Sequence, residues 1–336
     1  MRKLFLHIGH GKTGSSYLQS TFARSAEALG ALGITYPLPK NAEAAAEGKI
    51  SSGNTRVFLE YRRGGDTNLF FSGEGLFGHF VRKQGRDLIK KRIAEISPDK
   101  ICILLFIRDP VEHCCSVYQQ TVKRRSSATS LIEHLDIYNM PRRVMSALEF
   151  CSELGAEVTV RNYSVEKRSI LGVTAQWLGI DTALLSTPPA DRVNRSMTRS
   201  EIALLLAINK QIGSGAGNAL ADALCNNCPD IKSDDMRPPL EAQIALWNRL
   251  SDDIAAVNER LPQAVQYSRE RDIRPTQDSI PDGAYTFTSE QLDVIAEQVA
   301  TKKKSVNSLN ASDALDGNKG GRKAWKNGRF SLFGKG

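Results

Sequence analysis

The sequence of 336 residues lacks any apolar run approaching the ~20 residues that a membrane-spanning helix requires. The apolar start of the chain is interrupted at once by His7, Gly9 and His10, so we expect a strand there and not an export signal. With 41% hydrophobic and 24% charged residues, the composition is typical of a globular protein with a sizeable core. We therefore expect a protein without a transmembrane segment, located in the cytoplasm.

The six cysteines lack the partners that a zinc site would require. Cys225 and Cys228 have the C-x-x-C spacing of metal and redox sites, but no second pair of ligands stands near them in the sequence. We expect reduced thiols, as is usual in cytoplasmic proteins, and no bound metal.

A basic folded region of the kind that binds nucleic acid is also lacking. The net charge is +8, but residues 301–336 hold nine lysines and arginines against two aspartates, which accounts for +7 of it. The first 300 residues carry only +1, so we expect no nucleic-acid partner. We expect residues 1–300 to form the folded protein and the polar, basic tail to be largely disordered.

Strands and helices alternate over residues 1–190. Apolar runs predict strands at 3–9, 33–37, 68–72, 101–107 and 157–162. Apolar residues at helical spacing predict helices at 15–29, 87–96, 111–124 and 140–154, with a loop at 40–56. Strands joined by helical crossovers form a parallel sheet covered on both faces, which predicts an α/β three-layer core. Residues 191–300 are expected to be mainly helical, with helices at 198–212 and 239–261.

The first predicted strand, KLFLHIG, runs into a glycine-containing turn and then a helix. Free backbone N–H groups and the helix dipole at such a junction favour an anion. Lys12 adds a mobile cation, and Ser15 and Ser16 add hydroxyl donors in the first helical turn. The junction suits a phosphate, a pyrophosphate or a phosphosulfate; a glycine turn with an exposed lysine is the alternative, but it explains the pair of serines poorly.

The loop of a nucleotide triphosphatase fits this junction poorly. The pattern G-x-x-x-x-G-K-[ST], ending at Gly11-Lys12-Thr13, requires its first glycine at position 6, where Leu6 stands inside the strand. The loop is therefore too short to wrap a β-phosphate. The segment KTGSSY, residues 12–17, instead resembles the K-[ST]-G-[ST]-[ST]-[WY] loop of sulfotransferases, which use 3′-phosphoadenosine 5′-phosphosulfate.

A second segment resembles another motif of the same family and follows the first in the order that the family has. RDPVEHCCSVY follows the most strand-like run of the chain and resembles R-[ND]-P-x-[DE]-x-x-x-S-x-[YF] of the same family. Arg108, Pro110, Ser116 and Tyr118 match at the family's spacing. The resemblance covers residues 3–163 and is stronger to bacterial and carbohydrate-type members than to the cytosolic aryl type. It implies a P-loop-like three-layer sandwich with a central parallel sheet and a helical carboxyl-terminal portion.

The resemblance also implies roles for individual residues. The residues implied to bind the nucleotide are Lys12, Thr13, Gly14, Ser15, Ser16, Arg108, Ser116 and Tyr163. Arg108 leaves the carboxyl end of a strand, and its planar guanidinium suits a dianionic 3′-phosphate, with Ser116 nearby and Tyr163 against the adenine. A surface salt bridge between Arg108 and Asp109 or Glu112 is the alternative. A kinase would instead use an aspartate such as Asp109 to hold magnesium.

Two residues are expected to act on the reacting groups. Lys12 can stabilise charge on the leaving oxygen without a metal. Glu74 follows the strand NLFFS, at the edge of the sheet where it can accept the proton of the acceptor. His79 and, with less support, His10 are alternative bases, and a glutamate between glycines is often only a solvated turn residue.

Two weaker matches lie further along the chain. Residues 191–196 resemble a loop that approaches the nucleotide in related bacterial enzymes, or else form a helix cap with flanking arginines. Residues 319–327 reproduce the spacing of a segment that closes over the nucleotide in cytosolic sulfotransferases, but chance is the better explanation in a lysine- and glycine-rich tail.

The two main motifs predict a sulfotransferase. The expected reaction moves a sulfuryl group from 3′-phosphoadenosine 5′-phosphosulfate to a hydroxyl or amine of a small-molecule or glycan acceptor. One alternative is a P-loop nucleotide kinase or triphosphatase, which would require magnesium and ATP. The other is a non-catalytic protein that binds the phosphonucleotide without turnover.

Overall fold

The centre of the protein is a parallel sheet. The computed structural model describes residues 1–47, 53–62, 66–125, 127–189, 195–213, 217–276 and 284–301. The strands are β1 (Lys3–His7), β2 (Ile34–Thr35), β3 (Asn68–Ser72), β4 (Lys100–Ile107) and β5 (Glu157–Asn162). These five strands are all parallel and lie in the order β2-β3-β1-β4-β5. The predicted parallel sheet is therefore confirmed.

Helices account for most of the remaining described residues. They are α1 (Ser15–Arg24), α2 (Ala26–Ala31), α3 (Ala42–Ala46), α4 (Thr55–Glu60), α5 (Glu74–Val81), α6 (Lys83–Ile96), α7 (Pro110–Arg125), α8 (Leu131–Ile137), α9 (Met140–Glu153), α10 (Tyr163–Glu166), α11 (Ile170–Leu178), α12 (Arg199–Ile212), α13 (Asn218–Asn227), α14 (Leu240–Arg249), α15 (Ser251–Asn258) and α16 (Arg269–Asp272). Residues 289–301 form α17. Among the described residues, no helix is both long enough and apolar enough to cross a membrane.

Helices cover both faces of the sheet, because side chains along each strand point alternately to opposite sides. In β1, Leu4 and Leu6 belong to one apolar core, which α5, α6 and α9 complete. Phe5 belongs to the other, which α1, α2 and α11 complete. The architecture is therefore a three-layer α/β sandwich.

The carboxyl ends of the three inner strands meet at one edge of the sheet. His7 at the end of β1 stands beside Ser72 of β3 and Leu104 of β4. The loop after β1, helix α5 after β3 and helix α7 after β4 consequently begin close together. This edge is where open α/β sheets bind their ligands.

The described residues between 195 and 301 are mainly helical, as predicted, and part of them packs against α7. Leu205 of α12 and Leu224 of α13 form a third apolar cluster with Tyr118 and Val122 of α7. Thr198 caps α12 through a capping box with Glu201.

Two predicted helices are in fact divided. The helix predicted at 15–29 is interrupted at Ser25, whose hydroxyl donates to the carbonyl of Thr21 and accepts from the N–H of Ser186. The helix predicted at 239–261 is interrupted at Leu250, which lets α14 pack on α7 and α8 while α15 packs on α9.

The loop predicted at 40–56 is wrong in part, because α3 lies within it and α4 begins at its end. Two further predictions fall outside the described residues, namely most of the 191–196 loop and the tail from residue 302. In the described part of that loop, Arg195 donates to both carboxylate oxygens of Glu201, at 2.8 and 2.6 Å. Arg195 therefore flanks the capped start of α12.

Candidate functional site

The turn between β1 and α1 requires a glycine at position 14. Gly14 is the N-cap of α1 and has a left-handed backbone, with φ 79°. A Cβ there would lie 2.6 Å from Ile170 Cδ1 and 2.9 Å from Tyr163 Cε2. Only glycine combines this conformation with such close packing. Gly14 has no side chain, so the N–H groups of the first turn of α1 receive no side-chain cap from the N-cap residue.

Polar groups line the inner side of this turn. A Cβ on Gly9 would stand 2.9 Å from His7 Nε2, 3.0 Å from Ser15 Oγ and 3.2 Å from Thr13 Oγ1. Thr13 is buried and donates to the carbonyl of His10 at 2.7 Å. His7 Nε2 has no hydrogen-bond partner in the described part of the chain, whereas its Nδ1 lies 2.8 Å from the Ser72 hydroxyl. Three polar side-chain atoms therefore lie close to Gly9, and only glycine leaves room for them. Ser16 is exposed in the same first turn.

Lys12 is half-buried at the outer side of the turn, with a left-handed φ of 69°. Its ammonium donates to Gln120 Oε1 at 3.4 Å. Burial lowers the pKa of Lys12, the nearby Glu74 carboxylate opposes that shift, and the positive charge of Arg108 adds to it. A desolvated cation in this position favours a negatively charged ligand.

Arg108 joins the two sequence motifs. Its Nη1 donates to the carbonyl of Lys12 at 2.7 Å, and its Nη2 donates to Glu112 Oε1 at 3.0 Å. Its Cζ lies 5.3 Å from the centre of the Tyr163 ring. The pairing with Glu112, one of the sequence alternatives, is therefore present, but both side chains are largely buried and the bridge is not a surface one.

Asp109 is bound within the protein and does not pair with Arg108. It is buried, its Oδ1 accepts from Asn162 at 3.0 Å, and Arg271 donates to both of its oxygens at 2.5 and 2.9 Å. These contacts fasten the start of α7 to β5 and α16. They leave Asp109 a structural role and do not favour the magnesium role that a kinase would give it.

Ser116 and Tyr163 flank Arg108 in different ways. Ser116 is half-buried on α7, four residues after Glu112 and so on the same face of the helix. No hydrogen bond joins it to Arg108. Tyr163 begins α10 and fills the space between Arg108 and Gly14. The Tyr163 ring packs against the turn after β1, and the residue is half-buried.

Glu74 begins α5 and reaches the turn after β1. A Cβ on Gly11 would be 3.3 Å from Glu74 Oε2, so the carboxylate lies directly against that glycine. The residue as a whole is exposed, but the atoms around its carboxyl group displace water and raise its pKa, which Lys12 partly opposes. The carboxylate therefore lies at the mouth of the site, near the Lys12 ammonium.

The two alternative bases differ in position: His79 lies at the end of α5, whereas His10 lies within the turn after β1 but is buried. The backbone of His79 packs against Gly85 at the junction of α5 and α6, where a Cβ on Gly85 would be 2.5 Å from it. Among the described residues, no hydrogen bond, ion pair or ring contact joins His79 to the turn after β1. His10 is 1% exposed, and burial lowers its pKa to about 4, so its ring is neutral at neutral pH.

A buried histidine that the sequence did not single out supports the turn. His113 Nε2 donates to the carbonyl of Gly11 at 2.9 Å, and its Nδ1 lies 2.8 Å from the Tyr138 hydroxyl. Because a carbonyl only accepts, the proton is on Nε2 and the tyrosine donates to Nδ1. His113 lies within the RDPVEHCCSVY segment, so its position there was the available signal.

A second residue that the sequence analysis missed is Asp272, which caps the start of α7 although it lies far away in the sequence. Its carboxylate accepts from the N–H groups of Val111 at 2.7 Å and Glu112 at 3.0 Å, and from Trp247 Nε1 at 2.9 Å. The contact between Val111 and Asp272 joins residues 161 positions apart, and no local sequence pattern predicts it.

All six cysteines are buried and free. Lys123 donates to Cys225 Sγ at 3.1 Å. Within the described ranges, no three His, Cys, Asp or Glu side chains are grouped so that they could hold a metal ion.

Comparison with known proteins adds no relative: no family model matches the chain, and no curated protein matches it significantly.

Proposed function

We propose that the protein is a sulfotransferase that uses 3′-phosphoadenosine 5′-phosphosulfate. The observation that carries this proposal is the 2.7 Å hydrogen bond from Arg108 Nη1 to the carbonyl of Lys12. This hydrogen bond joins the two segments that resemble sulfotransferase motifs, and it lies at one edge of the sheet. The central position of β1 in the sheet, with the turn at its carboxyl end, supports a P-loop-like assignment of the sandwich.

The chain offers suitable groups for an anionic nucleotide. The N–H groups of the first turn of α1 and the Ser15 hydroxyl suit the oxygens of a phosphosulfate. Arg108, whose Nε is buried without a partner among the described residues, suits the 3′-phosphate. The face of Tyr163 suits a base.

The nucleotide, when bound, supplies an activated sulfuryl group; the protein supplies charge and a base. Lys12 stabilises the negative charge that develops on the bridging oxygen. Glu74 accepts the proton from the acceptor hydroxyl or amine, and its raised pKa makes it a stronger base than an ordinary carboxylate. An acceptor between them completes the site.

The test is a thermal-shift titration with 3′,5′-adenosine bisphosphate, with 5′-AMP, and with ATP plus magnesium. A ligand at a hundredfold excess over its Kd stabilises the folded state by about 2.7 kcal/mol. We expect only the bisphosphate to raise the melting temperature, and Arg108→Ala to remove that rise. Stabilisation by ATP with magnesium alone would instead support a kinase.

Turnover is tested separately with radiolabelled sulfate donor and a panel of hydroxyl and amine acceptors. We expect release of 3′,5′-adenosine bisphosphate that depends on Lys12. Tight bisphosphate binding without such release from any acceptor would leave a non-catalytic binding protein.

A further inference from the structure

The two edge strands of the central sheet differ in length. At one edge, β2 contains two residues and is soon followed by Pro37. A very short edge strand offers little backbone for pairing with another chain. At the other edge, β5 has six residues without glycine or proline, and three of them, Val158, Thr159 and Val160, are β-branched. The β5 edge therefore has the length and the composition of a strand that can accept a further strand.

The outer side of β5 is unpaired in the part of the chain that the structure describes. Its inner side pairs with β4 from Glu157 to Asn162. No hydrogen bond between described residues reaches the outer backbone groups of residues 157–160. Every second residue of an edge strand directs its N–H and C=O groups outward, so β5 presents a row of unpaired donors and acceptors.

A cavity of about 430 Å³ runs along the same edge. Val158 and Val160 line it, together with Leu148 of α9 and with Leu261 and Val265. The two valines are only half-buried, whereas most residues that the inner strands contribute to the same apolar core are fully buried. The cavity therefore leaves space for apolar side chains that the described residues do not supply.

The residues of β5 are arranged so that the strand is complementary to itself. Glu157 and Arg161 lie two positions on either side of Thr159, so all three are on one face of the sheet. In an antiparallel pair of identical strands centred on Thr159, Glu157 stands opposite the partner's Arg161, and Val158 stands opposite the partner's Val160. Opposed residues are then separated by an even number of positions along the strand, so the N–H groups of each copy meet the C=O groups of the other.

Both charged side chains are accessible to such a partner. The side chain of Glu157 is 61% exposed and that of Arg161 is 33% exposed. Each has an intramolecular partner, Lys100 for Glu157 and Glu166 for Arg161. Their exposure leaves each of them room for a second contact across a pair of strands.

Charge favours a second copy over the chain's own tail as the occupant of this edge. Residues 302–336 contain nine lysines and arginines against two aspartates. Arg161 and Arg260 line the cavity, and they repel a segment with this excess of positive charge. A second copy instead brings one Glu157 for each Arg161.

We propose that the protein associates with a second copy of itself through β5, so that the two five-stranded sheets join into one across a twofold axis at Thr159. A twofold interface is isologous, so the pair of Glu157 with the partner's Arg161 forms twice. The valines of each copy occupy the cavity beside the β5 edge of the other. One strand supplies fewer than the roughly 20 residues a side of a standard interface, so the association depends on protein concentration. This inference does not depend on the proposed function.

Sedimentation velocity of the full chain, from low to high micromolar concentration, measures the association. We expect wild type to change from monomer to dimer as the concentration rises. Glu157→Arg and Arg161→Glu should each raise the Kd of the dimer by about tenfold or more, because like charges then stand opposite each other at two places. An equimolar mixture of the two variants should form the dimer again, because every opposed pair in the mixed dimer joins opposite charges.

Four variants serve as matched controls. Lys100→Ala and Glu166→Gln remove the intramolecular partners of the two charged β5 residues but leave those residues in place. Glu27→Arg and Lys83→Glu make the same changes of net charge at exposed positions outside β5. All four should associate like wild type. Melting curves of each variant report folding independently of association.

Hydrogen exchange of residues 157–161, measured at low and high protein concentration, shows what covers the edge. Protection that increases as the dimer forms supports the proposal. A wild-type chain that remains monomeric overturns it: protection at every concentration would then mean that another segment of the same chain covers β5, and fast exchange would mean that the edge stays open. Unchanged association of Glu157→Arg, or a mixture that associates no better than the single variants, would also overturn it.

Discussion

The carboxylate of Glu74 lies against the α-carbon of Gly11, where an added Cβ would stand 3.3 Å from Oε2. The backbone of Gly11 is not left-handed, so alanine fits there without backbone strain. A methyl group would instead displace the carboxylate. The position of the proposed base therefore depends on a residue that carries no functional group.

Gly11→Ala should therefore slow transfer and leave folding and nucleotide binding intact. The carboxylate must move by a few tenths of an ångström, so we expect a loss smaller than the roughly 10²-fold that a displacement of about 1 Å causes. Single-turnover rates, nucleotide titrations and melting curves of the variant check this. Normal turnover would mean that the Glu74 carboxylate is not needed where it now lies.

Glu74→Gln should retain nucleotide affinity and lose the transfer step, by about 10²–10⁴ in rate. His79→Ala should have little effect, because His79 does not contact the turn. Single-turnover rates of the two variants decide between the residues. A slow His79→Ala protein beside a normal Glu74→Gln protein would make the histidine the base.

The rate of transfer should depend on pH through Glu74 and Lys12. The rate should rise as Glu74 loses its proton, with a midpoint above the ordinary value of 4.5, because burial raises its pKa. It should fall at alkaline pH as Lys12 loses its proton, with a midpoint below 10.5, because burial lowers its pKa. The pH profile of wild type should therefore be bell-shaped, and Glu74→Gln should lack the acidic limb. An acidic limb that persists in the variant would point to another group.

Lys12→Ala and Lys12→Gly should both abolish turnover, since each removes the ammonium. Their stabilities should differ, because position 12 has a left-handed φ of 69° that glycine adopts freely. We expect a free energy of unfolding about 1 kcal/mol higher for Lys12→Gly than for Lys12→Ala. Urea unfolding measures the difference. Equal stabilities would show that this backbone conformation is not strained.

Stability should also depend on pH through Asp272. Burial raises its pKa from 3.8 to about 6, although its hydrogen bonds from Val111 and Glu112 favour the ionised form. Between these values the folded protein holds a proton that the unfolded chain has released. The free energy of unfolding should therefore fall as pH rises from about 4 to about 6, by up to about 1.4 kcal/mol per pH unit. Urea unfolding of Asp272→Asn should lack this contribution, and an identical slope in both proteins would contradict it.

Local patterns in the sequence predicted the sheet and several site residues. The bounds of β3 and β5 agree with prediction, because short apolar runs between turn residues define buried strands. Lys12, Glu74 and Arg108 follow neighbouring parallel strands, so their convergence follows from the topology. The roles assigned to these residues remain predictions.

The sequence patterns could not predict the long-range contacts. The cap that Asp272 places on α7 joins residues 161 positions apart. The bond from His113 to the Gly11 carbonyl likewise joins helix α7 to the turn after β1, which only the folded sheet brings together. Each partner is an ordinary polar residue, and its effect arises from a neighbour that no spacing rule identifies.

The salt bridge of Arg108 with Glu112 means that the site already contains an anion of its own. If Arg108 binds the 3′-phosphate as proposed, the incoming ligand must compete with this internal carboxylate for the same guanidinium. A singly charged group has no electrostatic advantage in that exchange, whereas a doubly charged one does. Under the proposed function, Glu112 would therefore make Arg108 select for doubly charged ligands without any steric barrier.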